Sequence, residues 1–421
     1  MTMAPDTVQA LPGLEESRRA AGADAQAPTR RHVCMLAYTD YAIDARVRRE
    51  AETLAARGFV VRCLTTRSGD CRRRFTLNGV WVQELPIAKY RGKSTAAYAA
   101  SYLAFTIAAA AVCAGLLVRR RLDVVHAHNI PNFVVLAGLV PRLLGVRVVL
   151  DVHDSVVETF AAKFPGNAAL AAALRCEERV SALVAHKVIC VNHPQRDTLV
   201  ARGIPADKTF VSMNVPDPSI FGVGEVAKAP RGADTLNLVY HGTMAERLGV
   251  DLLIRAVGRV RERVPGVRLH LWGHGDDLPA FVRLVSQLEL QDAVRFNPKG
   301  FPLHELPAEL AAMDLGVVGN RRNAATELML PVKLLEYVAR GIPVIAPRLS
   351  TIAYYFAEDM VAYYEPEDVE SLAETICRLY HDPGRRADQA QRAHVFLARH
   401  GWERQGADFG DWYCRLAGRA S

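Results

Sequence analysis

PVKLLEYVARGIPVIAP, residues 331–347, is the stretch that decides the fold of this chain. Pro331 suits a helix start, where its missing N–H costs nothing. Gly341 stops the helix, because glycine readily takes the left-handed conformation of a C-terminal cap. The short apolar run that follows reads as a buried strand, and a helix feeding a buried strand is the repeating unit of an α/β fold. Lys333 falls in the first helical turn, where unpaired N–H groups and the helix dipole attract anions. Glu336 lies on the same face. Together they offer an ammonium to a diphosphate and a carboxylate, which accepts from two hydroxyls at once, to a ribose diol. The plainer alternative is a surface ion pair between the two.

The same alternation extends outward in both directions. LNLVYHG (236–242), VRLHLWGHG (267–275), AVRF (293–296) and LGVVG (315–319) read as strands separated by helices. Residues 216–235 cluster Pro, Gly and charge and read as a linker. Before it, VCMLA (33–37), VVRCLT (60–65), DVVHAH (123–128), VRVVLDVH (146–153) and KVICV (187–191) repeat the pattern, with a helix over 44–57. The expectation is an α/β chain of two Rossmann-like domains, 31–215 and 236–400, facing each other across a cleft. In open parallel sheets the ligand sits beyond the carboxyl ends of the strands. Residues 1–30 read as a disordered extension. Residues 402–418, with Trp402, Phe409, Trp412, Tyr413 and Leu416, read as an amphipathic tail helix.

With 421 residues, 50% hydrophobic and 23% charged, the chain is long enough for two cores. Its eight cysteines show no C-x-x-C pair and read as small buried hydrophobes. The net charge of +7 is uneven: residues 31–220 hold 25 Lys and Arg against 15 Asp and Glu, and residues 221–400 hold 21 against 23. A basic first half fits a phospholipid surface, a phosphorylated lipid or a nucleic acid, or simply solubilising arginines. Residues 96–118 are apolar enough to raise a membrane span, but their alanines, Tyr98, Ser101, Tyr102 and Thr106 favour a buried or membrane-surface helix.

The motifs, taken in order, resemble retaining glycosyltransferases of family 4, which have the GT-B fold. The resemblance covers DARVRREAETLAARGFVV (44–61), DVVHAHNIPNFVV (123–135), VVLDVHDSVVETFAAKF (148–164), YHGTMAERLGVDLLIRA (240–256), LHLWGHG (269–275), VRFNPKGFPLHEL (294–306), AAMDLGVV (311–318) and the opening stretch. It implies a nucleotide-sugar donor, UDP- or GDP-linked, and a lipid-linked or polysaccharide acceptor in cell-envelope or exopolysaccharide synthesis. It also implies retention of configuration, no cofactor, no metal and no nucleic acid partner. The spacing of His, Asp and Glu gives no metal cluster either.

Residue by residue, the resemblance puts the donor on Gly242, Thr243, Arg247, Lys333 and Glu336. The family's two glutamates stand eight residues apart. Glu336 matches the second, whereas Leu328 occupies the first position and Glu327 is one residue off. Leu248 stands where the family usually has lysine, with Arg247 beside it. His128 matches a histidine near the reacting sugar, so the catalytic candidates are His128, Glu327 and Lys333. His153, Asp154 and Glu158 are expected on the acceptor side, although Asp154 or Ser155 also suits a helix cap. The tail is expected to cross back to the first domain. A lipid acceptor and the basic half imply a cytoplasmic protein attached peripherally to an anionic membrane surface, on the inner face of the cytoplasmic membrane.

Two other classes compete. A nicotinamide dehydrogenase needs G-x-G-x-x-G after a first strand; GHGDD (273–277) follows a second strand, and AYTDYAID (37–44) has no glycine. An inactive GT-B scaffold in a polysaccharide-assembly complex is the second, raised by Leu328 and Leu248.

Overall fold

The computed structural model describes residues 31–67, 73–90, 92, 94–164, 166–222 and 235–418. The extension 1–30, Cys71, Arg72, Arg91, Lys93 and most of the expected linker lie outside the described residues.

The first sheet contains β1 His32–Leu36, β2 Val60–Arg67, β3 Arg74–Leu77, β4 Val80–Ala88, β5 Val124–His128, β6 Arg147–Val152, β7 Lys187–Cys190 and β8 Thr209–Val211. Its order is β3-β4-β2-β1-β5-β6-β7-β8, parallel except for β3. The second contains β9 Leu236–His241, β10 Val267–Trp272, β11 Val294–Asn297, β12 Leu315–Val317, β13 Val344–Pro347 and β14 Ala362–Tyr364, in the order β11-β10-β9-β12-β13-β14. Helices cover both faces, so central strands such as β5 are buried along their whole length. Strand order reverses between β1 and β5 in one sheet and between β9 and β12 in the other. Those switch points open the crevices where such sheets hold ligands.

The β3–β4 hairpin was not expected, yet it turns on Asn78-Gly79, both at positive φ, a strong hairpin signal. The three-residue strands β8 and β14 are too short to show a period.

The helix Thr95–Val118 lies along the first sheet. Phe105, Ala109, Cys113 and Leu116 face inward, while Leu103 and Ile107 face outward. By length and composition, with a mean hydropathy of 2.1, it is also long enough to cross a membrane. Most cysteines are buried, but Cys176 is exposed, because it occupies an outward position on the helix Ala168–Val184.

The helix Ala45–Ala56, capped by Asp44, buries Arg46, Arg49 and Glu50 beside its apolar Val47, Ala51 and Leu54. Arg46 donates to the Ser212 carbonyl (2.9 Å), and Arg49 grips Asn214 (3.2 Å) and the Val215 carbonyl. These residues begin the crossing into the second domain. Arg49 also lies over the Trp402 ring at 4.4 Å, where the chain returns. The helix Trp402–Leu416 then packs into the first domain. Phe409, Tyr413 and Cys414 share a core with Val33, Met35, Val47, Phe59 and Val61.

Phe409 is fully buried in that core. Phe409→Ala should cost about 3–5 kcal/mol, as large-to-small core changes do. Thermal or denaturant unfolding reads this directly, and an unchanged midpoint would mean that the tail is not part of the core.

Candidate active site

The donor half is built on the end of β9 and the start of the helix Val332–Ala339. Gly242 follows β9 at φ +106°, and a Cβ there would stand 3.6 Å from the Lys333 Nζ. Gly273, after β10, is at φ +133°; a Cβ would lie 2.0 Å from the Gly242 carbonyl oxygen. Gly273 has no room for a Cβ, and the positive φ of Gly242 strains any residue that carries one, so the two loops close on one another. Lys333 Nζ lies 3.6 Å over the Tyr240 ring and has no hydrogen-bond partner among the described residues. Burial pushes its pKa down to about 7, helped by the charge of Arg247 and opposed by that of Glu336. Burial likewise raises Glu336 to about 7, against the pull of Lys333.

The two side chains form no ion pair with each other. Glu336 Oε2 instead lies 3.3 Å from His241 Nε2, and burial beside Lys333 holds that imidazole neutral, with its pKa near 3. The surface-pair alternative therefore fails: an ammonium and a carboxylate are held apart, each costly to leave unmatched. Thr243 and Arg247 are exposed at the mouth of the same loop.

Across the cleft the eight-stranded sheet contributes a buried charged cluster. Asp151 accepts 2.8 Å bonds from both Arg46 Nε and Nη2 and lies 2.9 Å from His128 Nδ1. Arg46 Nη2 is also 3.1 Å from Glu50. Burial opposes its charge on Asp151, but Arg46 and the histidines hold that carboxyl well below the usual range. Burial raises Glu50, against the pull of Arg46. His128 is buried behind His153, which lines the cleft. His153 Nδ1 is 3.6 Å from Asp151, an ion-pair rather than a hydrogen-bond distance. Burial lowers the pKa of His153, but Asp151 outweighs it and the net shift is upward.

The fold corrects the expectation that His and carboxylates do not cluster: Glu50, His126, His128 and Asp151 offer ligand atoms within 4.8 Å of one another. Sequence spacing hid them because they come from one helix and two adjacent strands. A resident cation is already there in Arg46. The rings of His126 and His128 also stack at 4.4 Å and 16°, which runs their lone pairs side by side rather than toward one point.

Between the halves lies a cavity of about 200 Å³, lined by His153, Asp154, Asn192, Leu328, Met329 and Pro331 among others. Asn192 Nδ2 donates to the Leu328 carbonyl across it (2.9 Å). Of the expected residues only His153 and Asp154 line it; Gly242, Thr243, Arg247, Lys333 and Glu336 form the separate donor cluster, His128 is buried behind His153, and two carboxylates turn away. The Glu327 carboxylate is held by Arg322 (2.9 Å) and the Ser350 N–H (2.6 Å), so it caps the helix Ser350–Tyr355 while Leu328 faces the cavity. Glu158 is tied to Arg202, which also binds Glu178. It braces the helix Val156–Lys163 from behind, and Thr159 lines the cleft instead. Asp154 does line it, and Ser155 takes the N-cap position. Arg46, Asp151, His241 and Gly273 were missed; only the glycine loop after β10 left a local trace.

The chain matches two family models, "Glycosyl transferase 4-like domain" over residues 42–214 and "Glycosyl transferases group 1" over residues 235–382. This chain is a family 4 glycosyltransferase of the GT-B fold. The transferase is 31% identical, over 168 residues, to a GDP-mannose-dependent α-(1-6)-phosphatidylinositol monomannoside mannosyltransferase of Mycolicibacterium smegmatis, covering 39% of this chain and 44% of that one. It spans about half the length of the curated relatives it matches. Among solved structures it superimposes on sucrose-phosphate synthase of Thermosynechococcus elongatus with a TM-score of 0.76, at 18% identity, over 92% of this chain and 100% of that one. It also superimposes on Anabaena HepE in complex with UDP-glucose, with a TM-score of 0.64 at 14% identity, over 91% and 99%.

Two outcomes follow for the transferase. Glu336→Gln should weaken nucleoside diphosphate binding by about 1.5–3 kcal/mol, the worth of a charged hydrogen bond; calorimetry showing unchanged affinity would remove Glu336 from the ribose. Binding should also take up a proton near pH 8. In the free protein the Lys333 amino group, with its pKa near 7, is then mostly the neutral amine, and a diphosphate raises that pKa, while Glu336 is already mostly ionised. Titration in buffers of different ionisation enthalpy measures the proton count; no uptake would mean that Lys333 does not meet the phosphates.

Proposed function

We propose that the transferase moves a hexose-type sugar from a UDP- or GDP-sugar to a lipid-linked or polysaccharide acceptor, with retention of configuration and without a divalent metal. The observation that carries this reading is the unpartnered Lys333 ammonium facing Gly242, with Glu336 one turn deeper. The donor's diphosphate would lie against Lys333, Arg247 and the first-turn N–H groups of the helix Val332–Ala339, and its ribose diol against Glu336. As the sugar leaves, negative charge grows on the diphosphate, and cations already in place stabilise it without reorganisation. The sugar would then sit toward Leu328–Pro331 and the acceptor toward His153 and Asp154. With Glu327 engaged in capping, the first-glutamate position is filled by an apolar side chain, and the polar groups facing the sugar come from backbone and from the opposite domain.

A GDP-mannose-dependent relative and a UDP-glucose-bound structural neighbour support a nucleotide-sugar donor and leave both bases in contention. Two cations and a helix terminus supply the charge neutralisation that a metal provides elsewhere, which supports metal independence. The charge excess of the first domain supports a cytoplasmic protein held peripherally on the inner face of the membrane.

Turnover of a UDP- and GDP-sugar panel tests the reading; a folded protein inert with all of them would favour the scaffold alternative. With an active donor, Lys333→Ala should lower turnover about 100- to 1,000-fold, the usual loss for one preorganised contact to developing charge. Activity should persist in EDTA, and loss restored by Mg²⁺ or Mn²⁺ would overturn metal independence.

A further inference from the structure

The edge of the first sheet where the strands begin faces away from the cleft and carries a second cavity, of about 510 Å³. Arg31, Arg120, Arg147 and Arg415 line it, with Leu117 and Leu144 among its apolar walls. Its one acid, Asp123, is consumed by Arg31 (2.8 Å) and by the His32 N–H (2.7 Å). Arg120, Arg147 and Arg415 have no side-chain hydrogen bond or ion pair among the described residues, and Arg119 and Arg121 stand beside them equally unpaired. Arginines often offset helix C-terminal dipoles, and Arg119 and Arg415 sit at such ends. That role does not extend to Arg31 and Arg147, which begin strands.

Around the mouth the apolar residues face outward. Val118 is 84% exposed, Leu143 76% and Leu144 67%, all beside the cavity or its arginines. Cation and exposed aliphatic side chains together are the composition of a membrane-interface contact. A free phosphate needs no leucine rim, and a nucleic acid site would be expected to offer aromatic stacking, of which this lining has none.

We infer that this arginine-lined cavity binds the phosphate headgroup of an anionic lipid, with Val118, Leu143 and Leu144 entering the bilayer surface around it. The inference rests on the peripheral-attachment reading and gives it a specific face; because that face is opposite the cleft, it goes with the polysaccharide acceptor rather than with one whose lipid sits in the same bilayer. The guanidiniums pair with the phosphodiester in bidentate fashion, and the leucines remove apolar area from water.

Cosedimentation of the full chain with phosphatidylcholine vesicles, with and without phosphatidylglycerol, tests it. The wild type should pellet with the anionic vesicles and be released as salt rises. Neutralising two arginines in Arg120→Gln/Arg147→Gln should weaken that partition about 30-fold, at about 1 kcal/mol for each charge. Leu143→Ser/Leu144→Ser should weaken it too. Both variants should keep the wild-type melting temperature and nucleotide affinity, since the side chains are exposed and remote from the cleft. If the arginine variant partitions like the wild type, this site is wrong while membrane attachment stands. A wild type that ignores anionic vesicles overturns the site and the peripheral reading together. Displacement by low concentrations of inorganic phosphate alone would make it a soluble-anion site and overturn the lipid assignment.

Discussion

The buried pairing of Arg46 with Asp151 organises the first domain. One guanidinium satisfies both oxygens of a carboxylate, reaches Glu50 and the Ser212 carbonyl, and so ties a helix, a strand end and the interdomain crossing together. Removing one partner of such a pair strands the other charge and typically costs about 3–5 kcal/mol. Asp151 has lone pairs left for the histidines, which places His128 and His153 in a fixed stack at the cleft wall. The acceptor side of the active site is therefore only as ordered as this ion pair.

The donor side works by the opposite device. Lys333 and Glu336 are buried near each other without pairing to one another, Lys333 has no hydrogen-bond partner among the described residues, and both have pKa values displaced toward neutrality. A site with such poorly matched groups is unstable by itself and becomes favourable when a ligand supplies the missing partners. Stability has been given up where binding is needed, as strained or desolvated groups at functional sites commonly show.

These two devices were unequally legible. The parallel sheets announce themselves through short apolar runs alternating with helices, and Lys333 and Glu336 through local helical spacing at a glycine-ended helix. Arg46 and Asp151 are 105 residues apart and meet only once β5 and β6 pair in register. Glu158 and Glu327 stand in the right motifs but turn away, because each is captured by a nearby arginine. A carboxylate's position in the chain does not fix its direction when packing chooses the rotamer.

The tail helix has a temporal meaning as well. Phe409 and Tyr413 complete a core otherwise built from residues of the first half, such as Val33, Val47 and Val61. During synthesis that core stays open until the helix Trp402–Leu416 has cleared the ribosome, by which time the second Rossmann unit can already have folded. The domain that starts first is thus finished after its neighbour, and its apolar surface must remain protected while roughly 350 further residues are made, the span from Val61 to Phe409.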